Sequence, residues 1–330
     1  MSITASNPAT PTSPATAVPR EYVHKSVQSE VLLTGWSPAG PDRHRVTARW
    51  PLTHPFYGPV GGFHDPMLVA ESVRQCVPLL SHAAYDVPFG HRQVWSRFRY
   101  KIDPAALAVS NTPAEVEMRI TCPEVIRRAG RLVSVDMRID LSLDDRPLGT
   151  ASTRFANLSP ALYPRLRGPY ADIAEAYRRA LPLAPPTAPA PVARTEFTDV
   201  VLSPTNSPAL HQLRVDLTHP ALFDHPVDHA PGMLLLEAAR QATHAHTHPQ
   251  PLITTAIQAE FTHYVELDAP CWIHTEPSSK ETGHHNASRP GNGRRPVDNR
   301  PGATPLRITA VQNDTCAFTA TVTPTALPET

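Results

Sequence analysis

The apolar positions of this chain fall into two kinds of run. Met67 to Leu80 and Met233 to His244 are long apolar stretches too rich in Ala, Leu and Glu for strands, and they predict two helices. Asp65 before Pro66 offers a capping side chain followed by a residue suited to a first helical position, and Pro231-Gly232 marks the matching entry of the second helix. That second helix is apolar nearly all round, through Leu234, Leu235, Leu236, Ala238, Ala239 and Ala242, so it is expected to be enclosed rather than laid on a surface. Pro78 is expected to kink or shorten the first. Elsewhere the period is two. Val116 to Thr121, Leu132 to Leu143, Arg307 to Val311 and the following CAFTATVTP alternate as antiparallel strands with one buried face do.

The order of these elements occurs twice. LTHP stands at Leu52 to Pro55 and again at Leu217 to Pro220, which places His54 and His219 165 residues apart. ESVRQ from Glu71 answers EAARQ from Glu237 at an offset of 166, RFRYKIDP answers EFTHYVELDAP at nearly the same spacing, and EVLL at Glu30 pairs loosely with DVVL at Asp199. Matches in the same order at a near-constant offset identify a tandem duplication of one unit, a helix with an antiparallel sheet.

Composition sets the limits of those units. Residues 1–20 are mostly Pro, Ala, Thr and Ser and are expected to be a disordered tail. The Pro/Ala stretch 182–194 reads as an extended linker between a first unit, 21–181, and a second, 195–330. Residues 277–305 oppose β structure in their composition and read as a disordered insertion in the second unit, falling where a strand pair is expected. Thirty Lys and Arg against thirty Asp and Glu give no electrostatic footprint for a nucleic acid or an anionic membrane. No run is long and apolar enough for a membrane helix, and four scattered cysteines without a C-x-x-C fit a cytoplasmic protein.

The string FDHPVDHAPGMLLLEAARQ, Phe223 to Gln241, together with GGFHDPMLVAESVRQ, Gly61 to Gln75, closely resembles the A-factor biosynthesis hotdog family, whose members make precursors of gamma-butyrolactone signals. The likeness runs from about Val23 to the C-terminal strands. It implies an α+β double hotdog, each buried helix wrapped by an antiparallel sheet. It also implies an acyltransferase that moves a beta-ketoacyl group from an acyl carrier protein thioester to the hydroxyl of dihydroxyacetone phosphate, without a cofactor. A more distant likeness joins HPVDHAPGMLLLEA to the beta-hydroxyacyl thioester dehydratases, where a His, then Pro-Gly, then a helix bearing Glu form the site. A dehydratase or thioesterase of the same fold, or a non-catalytic binder of acyl lactones, are the competing readings. Hotdog units pair helix to helix, so a tandem chain is expected to be a monomer with an internal pseudo-dimer or a homodimer.

Acyl transfer to an alcohol requires a base for the alcohol proton, donors for the tetrahedral oxyanion and a dry site. Glu237 and Glu71 sit in apolar helices, where burial is expected to raise a carboxyl group towards neutrality, or else they pair with Arg240 and Arg74 three positions on. His225 is read as base or as donor to the thioester carbonyl, with His229 its rival and His64 a counterpart in the first unit. Pro226 between His225 and His229 opposes a helical zinc pair, so no metal is expected. Backbone N–H groups near Gly61, Gly62 and Gly232 are candidates to bind the thioester oxygen, unless those glycines only make the turn. Arg240 and Arg74, each followed by a glutamine, Gln241 and Gln75, are candidates to meet the phosphate. Arg97, Arg99 and Lys101 alternate on one strand, either docking an acidic carrier protein or forming a solvated face, and His54 and His219 read as structural.

Overall fold

The computed structural model describes residues 18–278 and 304–327. The first unit comprises β1 (Leu33–Gly40), β2 (Arg43–Trp50), α1 (Met67–Ala83), β3 (Arg92–Ile102), β4 (Ala114–Arg128), β5 (Arg131–Leu143) and β6 (Arg146–Leu158). Two short helices, α2 (Tyr163–Arg167) and α3 (Ile173–Arg179), lie in the connection. The second unit follows as β7 (Leu202–Pro204), β8 (Leu210–Leu213), α4 (Gly232–Thr247), β9 (Leu252–Phe261), β10 (Cys271–Pro277), β11 (Leu306–Gln312) and β12 (Thr315–Ala326). All strands form one antiparallel sheet in the order β1-β2-β4-β5-β6-β3-β9-β12-β11-β10-β8-β7.

That order reads as two six-strand halves mirrored about a central seam, where β3 pairs with β9 in the register Phe98↔Ala259 and Tyr100↔Ile257. Alternation along β5 and β12 buries one face of each strand, and α1 and α4 pack against that face and against each other. Each helix is buried on almost every side, as the apolar composition of α4 predicts. Asp65 accepts a hydrogen bond from the Met67 N–H at 2.8 Å and so caps the entry to α1. Pro78 does not shorten α1, which continues to Ala83. Val77, Leu79 and Leu80 around it are fully packed, and their burial offsets the one ladder bond that proline removes.

Two composition-based expectations change on contact with the structure. Residues 277–305 do not displace a strand pair: β10 and β11 meet directly, Pro277 opposite Leu306, and the second half of the sheet has its full six strands. The insertion predicted there, and the N-terminal tail, fall largely outside the described residues, although Val18 is buried and Arg20–Val23 form a 3-10 turn. The Pro/Ala stretch 182–194 is packed along the second unit. The Thr187 N–H donates to the Leu202 carbonyl, and the stretch ends in a 3-10 turn, Ala190–Val192, that delivers Arg194 to α4.

Candidate active site

The same polar cluster is built at both helices. In α1, Arg74 donates twice to the Glu71 carboxylate at 2.8 and 2.9 Å, Gln75 donates at 2.9 Å and Lys25 lies 3.1 Å away. In α4, Arg240 donates to Glu237 at 2.7 and 2.8 Å, Gln241 at 2.6 Å and Arg194 at 2.8 and 3.0 Å. Gln75 also ties down the backbone of Glu30 and Leu32, as Gln241 does that of Asp199 and Val201. Lys25 and Arg194 are each presented just after a 3-10 turn whose next residue, His24 or Ala193, is left-handed. His54 and His219 complete the pattern: each Nδ1 accepts the N–H groups two and three residues on, and each Nε2 approaches Glu30 or Asp199. They are structural turn histidines, as the sequence suggests.

These contacts reverse the expected ionisation of the two glutamates. Burial alone pushes each carboxyl group up, but Arg74 and Lys25 around Glu71, and Arg194 and Arg240 around Glu237, outweigh it and hold both at about 2. Both are therefore carboxylates at neutral pH, unsuited to act as bases there. A carboxyl depressed in the fold stabilises it fully above its unfolded value near 4.5, and that contribution disappears as pH falls towards 2. The denaturation midpoint should drop steeply between those limits. Glu237→Gln should flatten the fall, and an unchanged slope in urea titrations across that window would refute the assignment.

The α1 cluster faces open space. A cavity of about 290 Å³ lies between α1, the loop before α4 and the ends of β3 and β9, with Glu71 and Arg74 on one wall and Trp95, Leu235 and Phe261 among its apolar lining. Ala221 and Leu222 lie on the opposing side. Their counterparts after the other structural histidine are Phe56 and Tyr57, both buried. Phe56 lies under the Arg194 guanidinium, 4.0 Å from its ring centre, and its carbonyl accepts from Arg194 at 2.5 Å. Burial first, then the charges of Glu71 and Glu237, push the Tyr57 hydroxyl far above its ordinary range, so it stays neutral. Glu237 is 0% exposed and outside the cavity.

The loop before α4 brings an acid–base pair to the cavity. His229 Nδ1 lies 2.7 Å from Asp228 Oδ1, and the same carboxylate accepts from the Tyr163 hydroxyl at 2.7 and 2.8 Å and from Arg167 at 3.3 Å. Burial opposes the charge of Asp228, but His229, Tyr163 and Arg167 together hold it far below the usual carboxylate range. A carboxylate that only accepts fixes the imidazole proton on Nδ1 and leaves the Nε2 lone pair available. Tyr264 packs edge-on against this imidazole, with ring centres 4.6 Å apart. His225 is looser: its Nδ1 is 3.3 Å from Asp224 and its side chain is 40% exposed. Gly232 opens α4 at the same cavity, where a Cβ would stand 3.2 Å from Trp95 and 3.3 Å from Phe261. A side chain there would crowd both rings, so glycine keeps the backbone N–H of the helix start close to the cavity.

Of the residues singled out in the sequence, Glu71, Arg74, His225, His229 and Gly232 line this cavity together. Glu237, Arg240 and Gln241 form the sealed copy of the cluster, and Gln75 is buried as a backbone tie. His64 is buried against Trp50, and Gly62 sits at an exposed turn with φ 83°, so neither contributes to the cavity. Arg97, Arg99 and Lys101 occupy the open face of β3, where Arg97 reaches Asp136. Sequence reasoning missed Asp228, Tyr163, Arg167 and Lys25. The Asp-His dipeptide was readable as a dyad, but Lys25 and Tyr163 come from segments remote in sequence. Among the described residues no group of His, Cys, Asp and Glu has the geometry to hold a metal ion, and no helix is long and apolar enough to cross a membrane.

Two helices wrapped by a shared antiparallel sheet, with a cavity beside them that the Asp228–His229 pair adjoins, define a double hotdog protein. The chain belongs to the A-factor biosynthesis hotdog family, whose domain matches residues 6–159 and again 176–328. It is 40% identical over 305 residues to the 2-oxo-3-(phosphooxy)propyl 3-oxoalkanoate synthase of Streptomyces virginiae, covering 92% of this chain and 96% of that one. It is 38% identical over 314 residues to the enzyme of the same name from Streptomyces coelicolor, covering 93% and 91%. Among solved structures, a putative oleoyl thioesterase from Lactobacillus plantarum superposes with a TM-score of 0.52 over 88% of this chain and 99% of that one, at 11% identity, a likeness of fold.

Proposed function

We infer that this protein joins a beta-ketoacyl group, delivered as a carrier-protein thioester, to the hydroxyl of dihydroxyacetone phosphate. The relatives' name describes the product of that reaction. The single observation that carries the chemistry is the Asp228–His229 pair, 2.7 Å apart at the cavity wall. His229 Nε2 takes the hydroxyl proton as the acceptor oxygen attacks the thioester carbonyl. The oxyanion that forms is met by backbone N–H groups at the start of α4, around Gly232, at the positive end of the helix dipole. When the C–S bond breaks, the imidazolium returns the proton to the departing thiolate. Ester and free carrier thiol result, and nothing else is consumed.

The apolar walls, Trp95, Leu235 and Phe261, suit an acyl chain and exclude the water that would divert the intermediate to hydrolysis. Glu71 acts as a fixed anion that orients Lys25 and Arg74, as its twin Glu237, outside this cavity, does Arg194 and Arg240. Incubating the protein with a beta-ketoacyl carrier protein and dihydroxyacetone phosphate should give a phosphorylated ester, seen by mass spectrometry of the small-molecule product. Free ketoacid or a dehydrated acyl carrier in its place would establish the thioesterase or dehydratase reading instead.

A further inference from the structure

We propose that Arg92, at the start of β3, is the anchor for the phosphate of the acceptor, an inference that rests on the acyl transfer set out above. Three cationic side chains of Lys or Arg line the cavity: Lys25, Arg74 and Arg92. Lys25 and Arg74 are committed to Glu71, at 3.1 Å and 2.8 Å, and this arrangement recurs at Glu237, which does not line the cavity. Their role is therefore common to both units and does not read a ligand. Arg92 has no carboxylate within ion-pair distance among the described residues, and the carboxylates nearest the cavity are occupied. Glu71 has the partners just given, while Asp224 takes His225 and the Ser26 N–H.

Position supports the same assignment. A bulge between Trp95 and Arg97 interrupts the pairing of β3 with β6, and the four residues before it, Arg92 to Trp95, line the cavity instead of following the strand's solvent face. The Arg92 guanidinium stands over the Tyr163 ring, 5.5 Å from its centre, and the hydroxyl of that tyrosine holds Asp228. The cation is thus one side chain away from the Asp228–His229 pair. A three-carbon acceptor lying between them would place its phosphate on the guanidinium and its free hydroxyl on the imidazole. Neutral His24, kept from protonation by burial and by nearby cations including Arg74 and Arg92, adds no competing charge. A guanidinium presents two parallel donors to phosphate oxygens.

The test is calorimetric titration of the full chain with dihydroxyacetone phosphate and with dihydroxyacetone, for wild type, Arg92→Ala and Arg92→Lys. Losing charge-assisted hydrogen bonds to phosphate should weaken binding of the phosphorylated acceptor about 10- to 100-fold in Arg92→Ala. Arg92→Lys should recover part of it, and binding of the unphosphorylated triose should be the same in all three. Equal affinity of wild type and Arg92→Ala for the phosphorylated acceptor, or no binding by wild type, overturns the proposal. Because titration needs no turnover, loss of the phosphate preference without ester formation would indict the acyl-transfer reading alone.

Discussion

Replacing His229 by alanine should lower the rate of ester formation by about 10²- to 10⁴-fold, the range a positioned general base contributes, with the fold intact. The imidazole touches Asp228 and Tyr264, and its side chain is one quarter exposed, so truncation leaves no large void. His225→Ala should change the rate far less, because Asp224 holds that ring at only 3.3 Å and it stands nearer to solvent. The pair of variants separates the two histidines that the sequence leaves as rivals. Single-turnover assays on preloaded carrier protein read the chemical step directly. Retention of full rate by His229→Ala, with loss in His225→Ala, would move the base to His225. Asp228→Asn supplies a further check: it removes the carboxylate that fixes the Nδ1 proton, so the rate should fall while the imidazole remains.

Glu237→Ala should destabilise the protein by about 3–5 kcal/mol, the usual cost of stranding buried charge, without reducing turnover per folded molecule. Arg194 and Arg240 both donate to that carboxylate, neither has another anionic partner within ion-pair distance among the described residues, and all three side chains are buried. Removing the anion leaves two buried guanidinium groups, one of them against the Phe56 ring. Urea midpoints would register the loss, and active-site titration would normalise the rates. A variant that keeps its stability but loses activity would place Glu237 in the chemistry. Glu71→Gln is the informative companion, because the same cluster there borders the cavity, and both stability and turnover should fall.

The duplication, both long helices and the antiparallel strands with one buried face are legible in the sequence, because repeats and hydrophobic periods are local signals. So is the structural nature of His54 and His219, which sit in identical LTHP turns. What the sequence conceals is set by residues distant along the chain. The ionisation of Glu71 and Glu237 depends on Lys25 and Arg194, which reach the helices from 3-10 turns far upstream, and no helical spacing reveals them. The apolar flanks of α4 single out Glu237 as a candidate. That signal measures burial, and here complete burial is what removes Glu237 from any ligand. At the matching positions of the two units stand buried Phe56 and Tyr57 in one and the cavity-lining Ala221 and Leu222 in the other, a difference of side chain that the shared LTHP turns do not announce. The Asp228–His229 pair was visible as a dipeptide, but its rank over His225 needed Tyr163 and Arg167 from the segment connecting the units.

That exchange of two aromatic residues for two smaller ones has an evolutionary meaning. In an assembly of two identical subunits every substitution is made twice, so a plug that closes one pocket closes its twin and activity is lost. Fusing the subunits into one polypeptide releases each half from the other's constraints. One copy can then keep its charged cluster to hold the shared architecture while its partner is free to specialise in recognition.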